Sequence, residues 1–451
     1  MNTPLRIPGR LGNYLILTKL NKGGMADVFL GQPLYAPMHW VAVKTLLPKL
    51  AQRSKFIAMF RSEGNLGMMF NHPNIVRTWD VGLDETGEQA IHYLAMDYVH
   101  GRDLGAVYRS FQRLGTPPPI AQALHVGAEV LGALAYAHTL CDAQGDPLHL
   151  VNRDVSPANI MVAFDGRVCL IDFGIAQATL DFRSQIGAIR GKLSYMSPEQ
   201  VRGLPVDGRS DLFSLGVVLY QLLTGSEPFG GDGEFEQMER IRSAEPEDPQ
   251  IINPALPESA AAFLTRALQK DPADRFATAP EMLAAVQKLQ AEVGDPWDQP
   301  RMSAFMQERF AADVARLQGR VDRAREILLE EGGFDIPKEL HDAPLDGPSL
   351  DSLEIVIDLD SMEVPDLRSG DRTLVITSRE DEDLLETNPA ATRAGAPILE
   401  QPEVVEPEPP PTPPVEPPVR TAPPAWALGL LVLLVVAMVG LGVALVIKVG
   451  F

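Results

Sequence analysis

The stretch from Leu150 to Gly174 constrains this chain more than any other. It reads Leu-Val-Asn-Arg-Asp-Val-Ser-Pro-Ala-Asn-Ile, then a short apolar run, then Asp-Phe-Gly. Three of its polar residues offer chemistry that an ordinary turn does not need. Asp154 can accept a proton from an attacking hydroxyl, while Asn159 and Asp172 present hard oxygens suited to Mg²⁺. That ion keeps several of its own waters and substrate oxygens, so one carboxylate and one amide from the protein suffice. A chance Asp-rich turn between strands accounts for either half alone, and poorly for both halves at this separation.

In that combination the stretch resembles the catalytic and magnesium loops of protein kinases, H-R-D-x-x-x-x-N followed by D-F-G. The resemblance runs through residues 12–290 with each subdomain in order, and it implies an α+β, bilobal protein-kinase fold with a small β-rich N-lobe and a larger helical C-lobe. It also implies ATP and Mg²⁺ as cofactors, with Asp154 as catalytic base and Asn159 and Asp172 as metal ligands. Arg153-Asp154-Val155-Ser156-Pro157 is similar to a run in bacterial eukaryotic-like serine/threonine kinases, including myxobacterial ones.

Upstream, Asn13 to Leu20 alternates as a strand does and leads into Asn21-Lys22-Gly23-Gly24-Met25-Ala26-Asp27-Val28. Small residues here let backbone N–H groups approach phosphates. The run resembles the kinase glycine-rich loop, with Asn21 and Ala26 in place of two glycines. Trp40-Val41-Ala42-Val43-Lys44 is an apolar strand ending in a lysine, and Glu63 lies on a helical pattern from Ser54 to Asn71. By resemblance Lys44 grips the ATP phosphates and Glu63 orients it. The same resemblance assigns nucleotide contacts to Asn21, Lys22, Gly23, Gly24, Val28, Ala42, Lys44, Met96, Asp97 and Val99, the last three on a strand running into an inter-lobe hinge. Gly64 and Gly67 weaken the helix by about 1 kcal/mol each relative to alanine. They suit either a marginal regulatory helix or one packed too closely for larger residues.

In the C-terminal part, Ile120 to Thr139 is expected as an amphipathic helix. Asn152 replaces the usual histidine before the Arg-Asp pair, and Ser156 stands where many relatives carry a lysine that contacts the γ-phosphate. The presumed activation segment, Ile175 to Leu193, has few hydroxyls, and Lys192 replaces a threonine that usually lines the substrate-docking loop. By resemblance Glu199 pairs with Arg275, and Asp211 tethers the catalytic loop's backbone.

Beyond residue 300 the composition changes. Residues 301–451 carry 13 basic and 27 acidic groups, two-thirds of the chain's net charge of −21. That balance speaks against nucleic acid as a partner. Cys141 and Cys169 have no metal or redox spacing. Apolar residues at Met306, Phe310, Val314, Leu317, Val321, Ala324 and Leu328 step by four and three, predicting an amphipathic helix over 303–331. It either docks on the preceding domain or pairs with a partner helix. Residues 335–400 are acidic and aperiodic, as in disordered segments, and 401–424 is a Pro-rich spacer. Residues 426–447 contain no charge and are long enough to span a bilayer as a helix.

These features together predict a tail-anchored serine/threonine protein kinase acting on protein substrates at the bacterial cytoplasmic membrane. It is single-pass, with the kinase domain in the cytoplasm where ATP is. The alternative is a kinase-fold pseudoenzyme serving as a membrane scaffold, which Asn21, Asn152 and Ser156 favour and the intact Lys44, Asp154, Asn159 and Asp172 oppose. Thr373, followed three residues later by Ile376, suits phosphothreonine-reading forkhead-associated domain proteins as partners.

Overall fold

The computed structural model describes residues 5–331, apart from 37, 143, 174–192 and 232. Residues 175–192 of the activation segment, Thr373, and the expected segments 335–400, 401–424 and 426–447 lie outside the described residues.

The N-lobe is a twisted antiparallel sheet with one helix. Its strands are β1 (Gly9–Leu11), β2 (Tyr14–Lys22), β3 (Ala26–Pro33), β4 (Val41–Leu46), β5 (Thr78–Asp84) and β6 (Ile91–Asp97), in the order β1-β2-β3-β4-β6-β5. β4 is the middle of this sheet, and Val41, Ala42 and Val43 are all buried. That explains an apolar run without alternation, because both faces are covered. Helix α1 (Ser54–Met69) lies across β5 and β6. Its two glycines are explained by packing. A Cβ on Gly64 would stand 2.3 Å from Leu94 Cδ2, and one on Gly67 would stand 2.2 Å from Thr78 Oγ1.

A second sheet, β7 (Gly101–Asp103), β8 (Ile160–Ala163) and β9 (Val168–Leu170), lies at the start of the C-lobe. The helices are α2 (Leu104–Gln112), α3 (Ile120–His138), α4 (Pro198–Arg202), α5 (Gly208–Thr224), α6 (Glu234–Ser243), α7 (Pro249–Ile252), α8 (Glu258–Ala267) and α9 (Ala279–Val293). α5 opens on Asp207, whose side chain accepts from Arg209 N, and closes on Gly225 at φ 81°. Between these caps every residue from Ser210 to Thr224 is buried. α3 differs from the expected amphipathic helix, being buried on most of its surface because both α5 and α9 pack on it. Among the described residues it alone is long and apolar enough to cross a membrane, and that apolarity belongs to the C-lobe core.

The final helix, α10 (Gln299–Glu331), starts four residues before the predicted boundary and breaks at Phe310 (φ −121°, ψ 20°). Asp298 Oδ1 accepts from Arg301 N and starts the helix. The predicted stripe is buried on the domain itself, with Met306 and Phe310 in the C-lobe core and Val321, Ala324 and Leu328 on the N-lobe.

Candidate active site

The sheet register builds the upper wall of a cleft. Val28 pairs with Lys44 across β3 and β4, and Ala42 pairs with Met96 across β4 and β6. Asn21 pairs with Val28 and Lys22 with Asp27, so Gly23 and Gly24 fall at the hairpin tip. Gly23 N donates to Ala26 O at 2.9 Å, and a Cβ on Gly23 would stand 2.7 Å from that carbonyl oxygen. Glycine is therefore needed there for close backbone approach.

Lys44 joins the two lobes. Its Nζ lies 2.5 Å from Glu63 Oε1 on α1 and 3.0 Å from Asp172 Oδ1, just past β9. Burial works against the ammonium, but the carboxylates of Asp172 and Glu63 outweigh it and hold Lys44 above the usual lysine range. The lysine therefore stays charged. The ring of Phe173 packs on Phe70, just past the end of α1, with centroids 4.4 Å apart. That contact couples the position of α1, and so of Glu63, to the segment carrying Asp172.

The lower wall is the loop from Asn152 to Asn159. Asn159 Nδ2 donates to Asp154 Oδ2 at 2.8 Å and to the Asp154 carbonyl at 2.9 Å. This holds the buried Asp154 carboxylate in one orientation. Arg153 and Asp172 are non-glycine residues in left-handed backbone, at φ 65° and 53°. Such conformations cost of order 1–3 kcal/mol and persist where surrounding contacts over-determine them. For Arg153 those contacts are visible: its N–H donates to Asp211 Oδ1 at 2.8 Å and its carbonyl accepts from Gln200 Nε2 at 2.9 Å. Asp211, fully buried at the start of α5, also accepts from Asn152 N and contacts His138 Nε2, both at 2.8 Å. Asn152 Nδ2 donates to the Asp172 carbonyl at 3.4 Å, so the residue replacing the usual histidine still reaches the Asp-Phe-Gly backbone.

Glu199 and Arg275 form a bidentate pair at 2.8 and 2.9 Å beneath this loop, and Ser210 Oγ donates to Glu199 Oε1. Ser156 is buried, and among the described residues its hydroxyl has no hydrogen-bond partner. The Asp97 carboxylate is spent on Trp79 Nε1 at 2.6 Å and Arg77 N at 3.2 Å, bracing β5 against the hinge. Sequence reading missed the parts played by Gln200 and His138. For Gln200 a signal was present, since Ser197-x-x-Gln200 is a capping box and the glutamine's other end reaches Arg153.

The donor set fits Mg²⁺. The Asn159 amide nitrogen is used internally, leaving its oxygen as the hard donor, and Asp172 meets Lys44 through Oδ1 alone. Two such oxygens are what this ion needs from the protein when phosphates supply the rest.

Over residues 14–286 the sequence matches the protein kinase domain family. It is similar to the tyrosine-protein kinase MasK of Myxococcus xanthus, 33% identical over 325 residues that cover 71% of this chain and 50% of that one. The serine/threonine-protein kinase PknB of Mycobacterium leprae is 36% identical over 304 residues, covering 67% and 46%. A probable serine/threonine-protein kinase of Streptomyces coelicolor is 37% identical over 285 residues, covering 62% and 40%. The chain thus spans half or less of the length of these curated relatives.

Proposed function

Because this chain belongs to the protein kinase domain family, we propose that it transfers the γ-phosphate of ATP to serine and threonine hydroxyls of proteins. One observation carries the reading: a charged lysine of β4 held between Glu63 of α1 and Asp172 below it, over a loop presenting Asp154 and Asn159. Phosphoryl transfer needs positioning and charge neutralisation more than covalent chemistry from the protein. Lys44 orients the phosphates, and Glu63 keeps its ammonium in place. Asn159 fixes the Asp154 carboxylate, which takes the proton from the acceptor hydroxyl as it attacks. Mg²⁺, held by Asn159 and Asp172, would neutralise charge on the phosphates. At the hairpin tip the Gly23 N–H is taken by the Ala26 carbonyl, so it is the Gly24 N–H that is offered to them.

The test is phosphotransfer by the purified full chain with Mg-ATP and a generic protein acceptor. Asp154→Asn is expected to lower the rate by roughly 10²–10⁴ while leaving nucleotide affinity within a few-fold, since a general base acts only in the chemical step. Lys44→Met is expected to be inactive. Acid hydrolysis of the product then identifies the acceptor. Phosphotyrosine would move the reading towards the chemistry in the name of the Myxococcus relative. Wild-type protein that binds Mg-ATP and transfers nothing would favour the membrane-scaffold alternative.

We further propose that residues 426–447 anchor the chain in the bacterial cytoplasmic membrane with the kinase domain in the cytoplasm, and that phosphorylated Thr373 recruits forkhead-associated domain proteins. The uncharged span supports the first, and the threonine–isoleucine spacing supports the second. Removing 426–451 should release the protein to the soluble fraction. Mass spectrometry of the active protein should find phosphate on Thr373, and its absence would end the docking idea.

A further inference from the structure

Helix α10 touches both lobes, by different means along its length. Its first half is fastened to the C-lobe. Met302 and Met306 are buried in that lobe's core, Ser303 Oγ donates to the Phe164 carbonyl at 2.7 Å, and Gln299 Nε2 donates to the Asp165 carbonyl at 3.2 Å. The fit at the β8–β9 turn requires glycine twice over. Gly166 has φ 90°, and a Cβ on it would stand 1.9 Å from Gln299 O. After the break at Phe310 the helix continues onto the N-lobe, where Val321 and Leu328 are buried with Leu17 and Trp40. A cavity of about 1220 Å³ lies between the hinge residues Asp97–His100 and α10, lined on the helix by Gln299, Ser303, Gln307 and Val314.

Arg320 makes a polar contact at a sensitive place. Its guanidinium donates to Thr18 Oγ1 at 2.6 Å and to the Lys19 carbonyl. Thr18 and Lys19 lie between two register shifts in the β2–β3 ladder, one between Ile16 and Thr18 and the other between Lys19 and Asn21. Irregular ladders bend a strand and interrupt its regular pairing, so an outside donor can set its course there. Two residues later the same strand reaches Asn21 and Lys22, and Lys19 Nζ is paired to Asp27 Oδ2 across the hairpin at 2.7 Å. A shift at Thr18 is therefore passed to the Gly23-Gly24 tip.

We propose that α10 is a strap fixing the height of the β2–β3 hairpin over the cleft, with Arg320 as the positioning residue. The strap carries a reference from the C-lobe, which holds Asp154, to the N-lobe strand that covers the phosphates. This rests on the reading that the cleft binds ATP, but the placement of the hairpin can be measured without any reaction.

The test uses the full chain and two independent readouts. Amide hydrogen exchange over residues 18–28 reports local opening of the hairpin, and steady-state kinetics separate KM for ATP from kcat. Arg320→Ala is expected to speed exchange over 18–28 by about 3- to 10-fold, with the C-lobe unchanged, and to raise KM for ATP by a similar factor while kcat stays within twofold. Arg320→Lys, which can still donate to one of the two acceptors, should recover at least half of each effect. Val321→Ala should loosen the hairpin less than Arg320→Ala. Unchanged exchange and unchanged KM in Arg320→Ala would overturn the positioning role even in an active enzyme, and so would exchange that rises equally throughout the domain. Faster hairpin exchange in protein that never transfers phosphate would keep the strap and overturn the proposed activity instead.

Discussion

Asp211 gives the sharpest test of how the catalytic loop is held. Its carboxylate is fully buried; Oδ1 takes the Arg153 N–H, and Oδ2 takes the Asn152 N–H beside His138 Nε2, each at 2.8 Å. Asp211→Asn keeps the shape and turns one oxygen into an amine. In either amide orientation that amine faces a backbone N–H, so at least one buried donor loses its acceptor, and the remaining bond is no longer charge-assisted. Hydrogen bonds to charged groups contribute about 1.5–3 kcal/mol each. In a domain of this size 1 kcal/mol corresponds to roughly 2–4 °C, so the melting temperature should fall by about 3–12 °C. The released amides belong to the two residues immediately before Asp154, so kcat should fall at least tenfold as well. Thermal melting and phosphotransfer on the same preparation supply both numbers. Asp207→Asn is the control, since Asp207 also sits at the start of α5 but asparagine caps as well as aspartate there, and the exposed ion pair to the Arg209 side chain that it weakens is worth at most about 1 kcal/mol. If Asp211→Asn melts within 1 °C of wild type and keeps its kcat, the loop is held by something other than this carboxylate.

Three further outcomes follow from the same structure. Burial alone would raise the Glu199 carboxyl, but Arg275 and Ser210 hold it below its ordinary value of 4.5. The stability it contributes is thus complete above pH 4.5 and lost as pH falls through the lower folded value. Melting temperature against pH should show Glu199→Gln with a flatter acid limb and, because Arg275 is left buried without its partner, a loss of about 3–5 kcal/mol near neutrality. Gly67→Ala should destabilise despite its better helix propensity, because the new methyl meets Thr78 Oγ1 at 2.2 Å and Thr78 Cβ at 2.9 Å; pairing it with Thr78→Ala removes only the first of these and should recover part of the loss, and a stabilising single variant would refute the packing argument. Titration with a thiol reagent should find one fast cysteine in the native protein and two after denaturation, because Cys141 is exposed while burial pushes the Cys169 thiol up to about 12.

The parts of the site legible in the sequence are those whose geometry is local or carried by a short spacing. Asp154 and Asn159 are five residues apart in one loop, and the structure joins them by a direct hydrogen bond. Lys44 and Glu63 sit on separate elements, and no periodicity relates them. Their pairing was read by resemblance, and the 2.5 Å contact is a tertiary fact. The glycines of α1 left two readings open because helix propensity concerns the helix alone, whereas the Leu94 and Thr78 side chains that exclude a Cβ come from β6 and β5. An amphipathic α3 would keep its polar residues at the surface, but Gln122 and His125 are buried in the fold.

The same reasoning explains why α10 was half-legible. Steps of four and three specify a helix with one apolar stripe, but a stripe does not say which surface covers it. Two different surfaces do so here, and the backbone irregularity at Phe310 lies between them: Met302 and Met306 face the C-lobe core, and Val321 and Leu328 face Leu17 and Trp40. A helix meant only for a partner would have no reason to carry Arg320 opposite an irregularity in β2, nor to need a glycine at position 166 where its own first turn passes. Those two fits lie more than 100 residues away in sequence from the residues they serve, and they are what make the helix part of the catalytic domain.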